Sequence, residues 1–339
     1  MCIAAGIVPL HRLARTYHQR ATNVARSVKN LPALASVLTA LSMYSGGLGN
    51  WGEIQDALGE ALEIANQLGD QRQLGESTTV LALASTYQGD LNTSRRLFSE
   101  ICEMTRQNGN ALQRAWGLVG LGGVQVLDGQ SQEGIQNLEM ALQLLTENTD
   151  LTEEIRAYGY LALAHLQLEQ YEVAQQAAQN VLRLTGTVPP SVYTTLEGYV
   201  GVAKTYLTLW NLAQDQQHPQ NQAWRSQLDE LETAAKKASK ALHGYARIFP
   251  IGQPSDWLYR GLIAWQRGAS KRAMRAWKKS LAAAQQLGMV YDQARACEEI
   301  GLHLPQSDPE RGKYLQRAVE LFAASGAKKY ANQLRPSLA

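Results

Sequence analysis

The sequence predicts an all-α solenoid of stacked helix pairs. Two observations carry that reading: helix-breaking residues recur at a fixed interval, and the apolar residues on both sides of each break follow helical spacing. Gly49-Asn50-Trp51, Gly89-Asp90-Leu91, Gly129-Gln130-Ser131 and Glu169-Gln170-Tyr171 begin 40 residues apart. The next break is expected at 209, in Leu209-Trp210-Asn211. A polar insertion follows, the series resumes at Gly268-Ala269-Ser270, and 40 residues later comes Asp308-Pro309. A period of this size marks units that bury their apolar faces only by stacking on one another.

Residues 1–30 read as a truncated first repeat. Counting back 40 from Gly49 lands on Pro9, so residues 10–29 form a second helix with Leu10, Leu13, Tyr17, Val24 and Val28 on its apolar stripe. Its covering helix would lie before Met1. That leaves an apolar patch, flanked by Arg12, Arg15 and Arg20, through which residues 1–29 are expected to self-associate or dock another protein. Residues 31–213 hold the regular repeats. In the third, Leu118, Leu121, Gly122 and Val126 precede Gly129, and Ile135, Leu138, Ala141, Leu142 and Leu145 follow it, the pattern of helices with one buried face. Glycine at the break supplies the positive φ that ends the first helix. A second set of breaks, at Gly69-Asp70, Gly109-Asn110, Asn148-Thr149-Asp150, Gly186, Gly288 and Gly326, falls half a period later, so each unit is two helices of roughly 16–18 residues. Residues 214–222 are too hydrophilic to pack and read as an exposed loop insertion between long helices. Residues 223–326 carry the later repeats, and 327–339 form a short cap. Gly117, Gly120, Gly122 and Gly123 crowd one helix and mark a close helix–helix approach.

Composition narrows the class. The chain has 339 residues, 45% hydrophobic and 18% charged, which suits packed helices and argues against disorder. Cys2, Cys102 and Cys297 are too scattered for a disulfide framework or a metal set, which fits a reducing, cytoplasmic setting. No apolar run approaches the ~20 residues of a membrane span, and the apolar start lacks the basic leader of a signal peptide. The net charge of +2 conceals an uneven distribution. Residues 1–52 hold five basic and no acidic residues, 53–190 hold 7 basic and 18 acidic, and 191–339 hold 20 basic and 12 acidic. Solvated helix faces of varying sign account for this, and complementarity to a neighbouring chain would use it.

No chemical motif stands out. Gly46-Gly47-Leu48-Gly49 lacks the Lys-Ser/Thr of a phosphate loop. The six histidines form no His-Glu-x-x-His and do not cluster with cysteine, so no metal is expected. No catalytic residue and no cofactor site is assigned. Two surfaces remain. Between Trp257 and Tyr291 lie seven basic residues and no acidic one. Of these Arg267, Lys271, Arg272, Arg275, Lys278 and Lys279 form a candidate basic contact face, expected to be a solvated face first, a protein contact second and a site for an anionic ligand such as a nucleotide third, with nucleic acid not expected. Projecting the period places Met43, Thr86, Tyr87, Trp116, Gly123, Leu163, Tyr199, Tyr206 and Trp265 on the first helices' inner face, a neutral, aromatic candidate groove for an apolar peptide, helix or small ligand.

The residues at the breaks resemble tetratricopeptide repeats. Trp257 with Gly261, then Gly268, Ala273 and Trp277, match that pattern well. Leu121-Gly122, Gly129, Leu138 and Ala141 match in part, and Tyr158, Leu161-Ala162, Ala174 and Ala178 more loosely. The resemblance implies a right-handed superhelix. The 40-residue period exceeds the family's usual 34, so both helices are longer. This form resembles the carboxy-terminal repeat region of bacterial signalling ATPases, both the maltose-activator type and those linked to adenylate/guanylate cyclases. Trp257-Leu258-Tyr259-Arg260-Gly261-Leu262, Arg275-Ala276-Trp277, Leu287-Gly288-Met289, Gly301-Leu302-His303-Leu304, Asp308-Pro309-Glu310-Arg311 and Leu321-Phe322-Ala323-Ala324-Ser325-Gly326-Ala327 carry it. No Gly-x-x-x-x-Gly-Lys-Ser/Thr is present, so the ATPase segment is missing, as is a cyclase segment.

The expected function is a non-catalytic interaction or regulatory module of a bacterial signalling system, acting on a protein partner such as an ATPase or cyclase chain. One alternative is a sensor with a peptide or small ligand in the groove. Another is an enzyme, which a closed pocket with convergent ionisable groups would favour.

Overall fold

The computed structural model describes residues 11–186 and 190–338. The chain is an all-α array of helices in tandem, with no strand among the described residues. The helices are α1 His11–Ser27, α2 Leu31–Leu48, α3 Trp51–Leu68, α4 Gln71–Gln88, α5 Leu91–Asn108, α6 Ala111–Leu127, α7 Ser131–Glu147, α8 Leu151–Gln167, α9 Tyr171–Thr185, α10 Leu196–Gln214, the short α11 Asn221–Trp224, α12 Leu228–Ile248, α13 Gln253–Gln266, α14 Ser270–Gln286, α15 Val290–His303, α16 Pro309–Ser325 and α17 Lys328–Leu334.

Local chemistry fixes the boundaries. Gly49, Gly89, Gly129 and Gly268 all have φ between 74 and 84°, and Glu169 takes the same left-handed turn at 58° despite its Cβ. The half-period turns at Gly69, Gly109, Gly288 and Gly326 are left-handed as well. Gly186 is not: helix α9 ends there at φ −68°. Each early first helix is entered through a side-chain cap, which satisfies an orphan N–H. Asn30, Asp70, Asn110 and Asp150, 40 residues apart, accept from Ala33, Gln73, Gln113 and Thr152. The expected break at 209 does not occur. Leu209 and Trp210 are 0% and 1% exposed inside α10, and the packing of the tryptophan holds the helix straight through that position.

The polar insertion is shorter than expected. Residues 215–217 are exposed, but Asn221 is buried, and its side-chain amide donates to the Leu212 and Ala213 carbonyls at 2.8 and 2.9 Å. That caps the end of α10, and Trp224 at 3% exposure pins the return. Helix α2 qualifies the expectation about apolar runs. It is long and apolar enough to cross a membrane by length and composition, with mean hydropathy 1.3, although 56% of it is buried in the protein. Helix α1 turns Ala14, His18, Thr22 and Ala25 into the array and leaves Leu13, Val24 and Val28 43%, 60% and 64% exposed. Leu10 of the expected stripe lies outside the described residues.

First helices pack on first helices. Helix α2 touches α4, α4 touches α6, α6 touches α8, α8 touches α10, α10 touches α13 and α13 touches α15. Buried polar side chains link the layer: Thr39 with Ser77 at 2.9 Å, Gln113 to the Arg72 carbonyl at 2.8 Å, and Gln167 to the Val126 carbonyl at 3.1 Å. The array curls until early and late parts of the chain meet. The Trp51 indole donates to the Leu287 carbonyl at 2.6 Å, and the Lys329 backbone N–H donates to Asp128 at 3.1 Å.

The glycine-rich helix α6 runs hard against α7. A Cβ at Gly122 would lie 2.8 Å from Leu138 Cγ and 2.9 Å from the Gly134 carbonyl oxygen. Backbone cannot yield as a side chain does. Gly122→Leu should therefore destabilise the chain by about 1–3 kcal/mol, read as a lower denaturant midpoint with an unchanged slope. An unchanged midpoint would contradict this packing.

Candidate functional site: a charged cavity among the first helices

Curling the first-helix layer encloses a cavity of about 100 Å³. Helices α4, α6, α8, α10, α13, α15 and α17 all contribute to its wall. A space of this size holds several waters or a small polar ligand. Its apolar wall includes Leu163, Leu196, Val200, Leu258 and Met289. Its polar groups include Glu197 and Lys204 from α10, Asp292 and Arg295 from α15, and the tyrosines 87, 160, 259, 291 and 330, beside Thr86, Gln167 and Ser255.

Close backbone approach brings the ionisable groups together. A Cβ at Gly201 would lie 2.5 Å from the Gly159 carbonyl oxygen, and one at Gly159 would lie 2.4 Å from that of Glu197. Only glycine at both positions lets α8 and α10 come this near. Glu197 in the first turn of α10 and Lys204 seven residues on then face one side, two helical turns apart. The α15 pair Asp292 and Arg295, at i and i+3, faces them.

Most of these groups are already engaged. Tyr87 donates to Glu197 Oε2 at 2.8 Å. Arg295 donates to the Tyr330 hydroxyl at 2.6 Å and pairs with Glu298 at 3.2 Å and Glu299 at 3.8 Å. Ser255 hydrogen-bonds Asp292. Lys204 is the exception: among the described residues its ammonium has no hydrogen-bond or ion-pair partner. The residue is half-buried and its Nζ is not sealed from solvent, so the ammonium is open to water or to a ligand entering the recess. Behind the cavity, Arg156 is 1% exposed and pairs with Glu153 at 2.9 Å, while its Nε and Nη1 have no protein partner.

Burial sets the charge states. It pushes the Glu197 carboxyl up to about 7 against the Tyr87 hydrogen bond and Arg156. Asp292 likewise rises to about 7 against Arg295 and the Ser255 hydrogen bond. Glu153 and Glu299 are also raised by burial to about 7. Lys204 is brought down to about 8 by burial, with Arg295 adding to the shift and Glu298 and Glu299 opposing it. Desolvation disfavours every charged form; pairing offsets it only in part for these carboxyls and Lys204, but outweighs it for Arg156 and Arg295, which are raised.

Of the sequence-predicted groove residues, Thr86, Tyr87 and Leu163 line this cavity. Gly123 has its α-carbon against the Tyr160 ring. Tyr199 stacks on Tyr245 at 5.2 Å, Tyr206 is buried, and Met43 packs into the core. Trp116 donates to Asp150 at 3.1 Å, and Trp265 clusters with Trp277 and His303, which also touch each other. The inner face is thus charged at its centre, not neutral and aromatic throughout, because α10 and α15 turn their charged residues inward. The basic residues Arg267, Lys271, Arg272, Arg275, Lys278 and Lys279 are all exposed, well away from the cavity. Sequence reasoning passed over Glu197, Lys204, Asp292 and Arg295. A signal for two of them was present: Glu197 and Lys204 are the only charged residues in the otherwise apolar α10, and an isolated charge there must be paired or functional.

No group of three or more His, Cys, Asp or Glu residues that could hold a metal ion occurs among the described residues. The thiols of Cys102 and Cys297 are each pushed up by burial to about 11, which leaves them poor nucleophiles. No family model matches the chain, and no curated protein matches it.

The raised carboxyls predict a pH dependence. Between the ordinary carboxyl range and about 7 the folded chain keeps protons that the unfolded chain has released. Stability is then greatest on the acid side of that window and declines as the pH rises through it. The thermal midpoint should fall between pH 5 and pH 7.5, and Glu197→Gln should flatten that fall. A midpoint that rises over the interval, or a variant with the parent's slope, would contradict these charge states.

Proposed function

We propose that the chain is a regulatory module that senses a small zwitterionic ligand in its central cavity. The observation that carries this reading is the wall itself: Lys204, lacking a protein partner, and Arg295 stand in one recess with Glu197 and Asp292. A ligand with a carboxylate for the cations and an ammonium for the carboxylates would restore the interactions that burial removes. Because α4, α10, α15 and α17 all reach the wall, a bound ligand would favour the closed array over any opened one. That differential contact is what a regulator needs to shift a partner's state.

Under the same reading the tandem pairs form a right-handed superhelical solenoid of tetratricopeptide-like units. The chain then acts on a protein partner in a bacterial signalling system, as the repeat arm of a cyclase- or ATPase-type regulator. The left-handed turns at 40-residue spacing and the glycine and tryptophan contacts of α13 and α14 support the repeat assignment. The partner class rests on the sequence resemblance alone. A second reading, an enzyme, is favoured by the convergence of carboxyls, an amine and tyrosine hydroxyls on one recess.

Thermal-shift measurements with α-amino acids, their amines and their des-amino acids test the proposal. A subset of the zwitterions should raise the midpoint, and neither half-ligand should match it. Lys204→Met should abolish the shift. No response to any zwitterion, or a response unchanged in Lys204→Met, would overturn the reading. Turnover of the bound compound would favour the enzyme.

A further inference from the structure

Away from the cavity, α12, α13 and α14 form a second concavity, of about 340 Å³, walled mainly by basic side chains. The α12 residues Lys236, Lys240 and His243 sit at i, i+4 and i+7 and share one face. Arg260 and Arg267 face them from α13 and its end, and Arg272 from the start of α14. Apolar floor is supplied by Ile263, Ala264 and Ala269.

The charge is not balanced within the site. Glu232 takes Lys236 at 2.8 Å and Arg267 at 2.7 Å. These two hydrogen bonds hold its carboxyl below the usual range. Asp256 takes His243 at 2.9 Å and lies 3.5 Å from Arg260. Two carboxylates thus serve five lysine and arginine side chains and one histidine, and Lys240 and Arg272 make no ion pair among the described residues. Like charges gathered on one wall repel each other unless an anion joins them.

The basic residues singled out in the sequence divide here. Arg267 and Arg272 enter the concavity, Lys279 stacks on the Trp257 ring at 4.3 Å, and Lys271, Arg275 and Lys278 point into solvent away from it. Trp257 already carries Arg260 at 4.2 Å as well. Among the described residues no Trp, Tyr or Phe ring lines the concavity, and its one aromatic side chain, His243, is held by Asp256.

We propose that this concavity is a second ligand site, for a small anion bearing two or more phosphate groups. Multiple phosphates match the excess of basic groups, and arginines beside lysines suit phosphate oxygens. A recessed wall without Trp, Tyr or Phe rings favours such a compact ligand over a nucleic-acid strand. The proposal is independent of the central cavity.

Calorimetric titration of the full chain with tripolyphosphate and with inorganic phosphate is the test. Tripolyphosphate should bind at least about tenfold more tightly than phosphate and lose affinity steeply as salt is added. Lys240→Gln/Arg272→Gln should reduce its affinity by at least about tenfold while leaving the unfolding midpoint and the zwitterion response unchanged. Absence of tripolyphosphate binding at low salt, or binding indifferent to the double substitution, would overturn the proposal. So would a single-stranded oligonucleotide that outcompetes tripolyphosphate at the same residues.

Discussion

The Leu287 carbonyl accepts the Trp51 indole proton across 236 residues of chain, and the cavity depends on that closure. Without it the first helices would line an open trough, and the charges on α10 and α15 would stand in water. The contact joins two of the left-handed turns that end helices. Gly49 and Gly288 lie within van der Waals reach of Leu287 and Trp51 respectively. The same meeting of ends seats Val290 and Tyr291 against Gly89, and Asn92 against Gly326. Turns that began as punctuation in the sequence thus become the surface on which the later repeats dock.

Closure creates an electrostatic cost that the fold meets only in part. Removing carboxylates and ammonium groups from water is expensive, and pairing offsets this when the geometry is complete. Arg295 is satisfied by Glu298, Glu299 and Tyr330. Lys204 has no protein partner among the described residues and stands half-buried, and Arg156 keeps two buried donor atoms unpartnered. A scaffold needing only stability would do better with apolar residues at these positions. Their retention in a recess is the physical reason for reading the site as one awaiting a ligand.

Much of the architecture was legible in the sequence because helix termination is local chemistry. Glycine at 49, 89 and 129 and the Asx caps at 30, 70, 110 and 150 act within one turn of chain. Glu169 was legible only by its place in the series, since its residue type argues against a left-handed turn. The break expected at 209 failed because tertiary burial of Trp210 outweighed the repeat. The cavity was not legible for a different reason. Which charged residues meet depends on how far the array curls, and that is set by contacts such as Gly159 with Gly201, between residues whose proximity no single helix reveals.

Small-angle X-ray scattering of the whole chain tests closure most directly. A closed array should give a radius of gyration near the ~20 Å of a compact chain of this length, with a single-peaked, nearly symmetric pair-distance distribution. A radius well above that value, with the long tail of an extended rod, would show that the ends do not meet and that the charged cavity does not form.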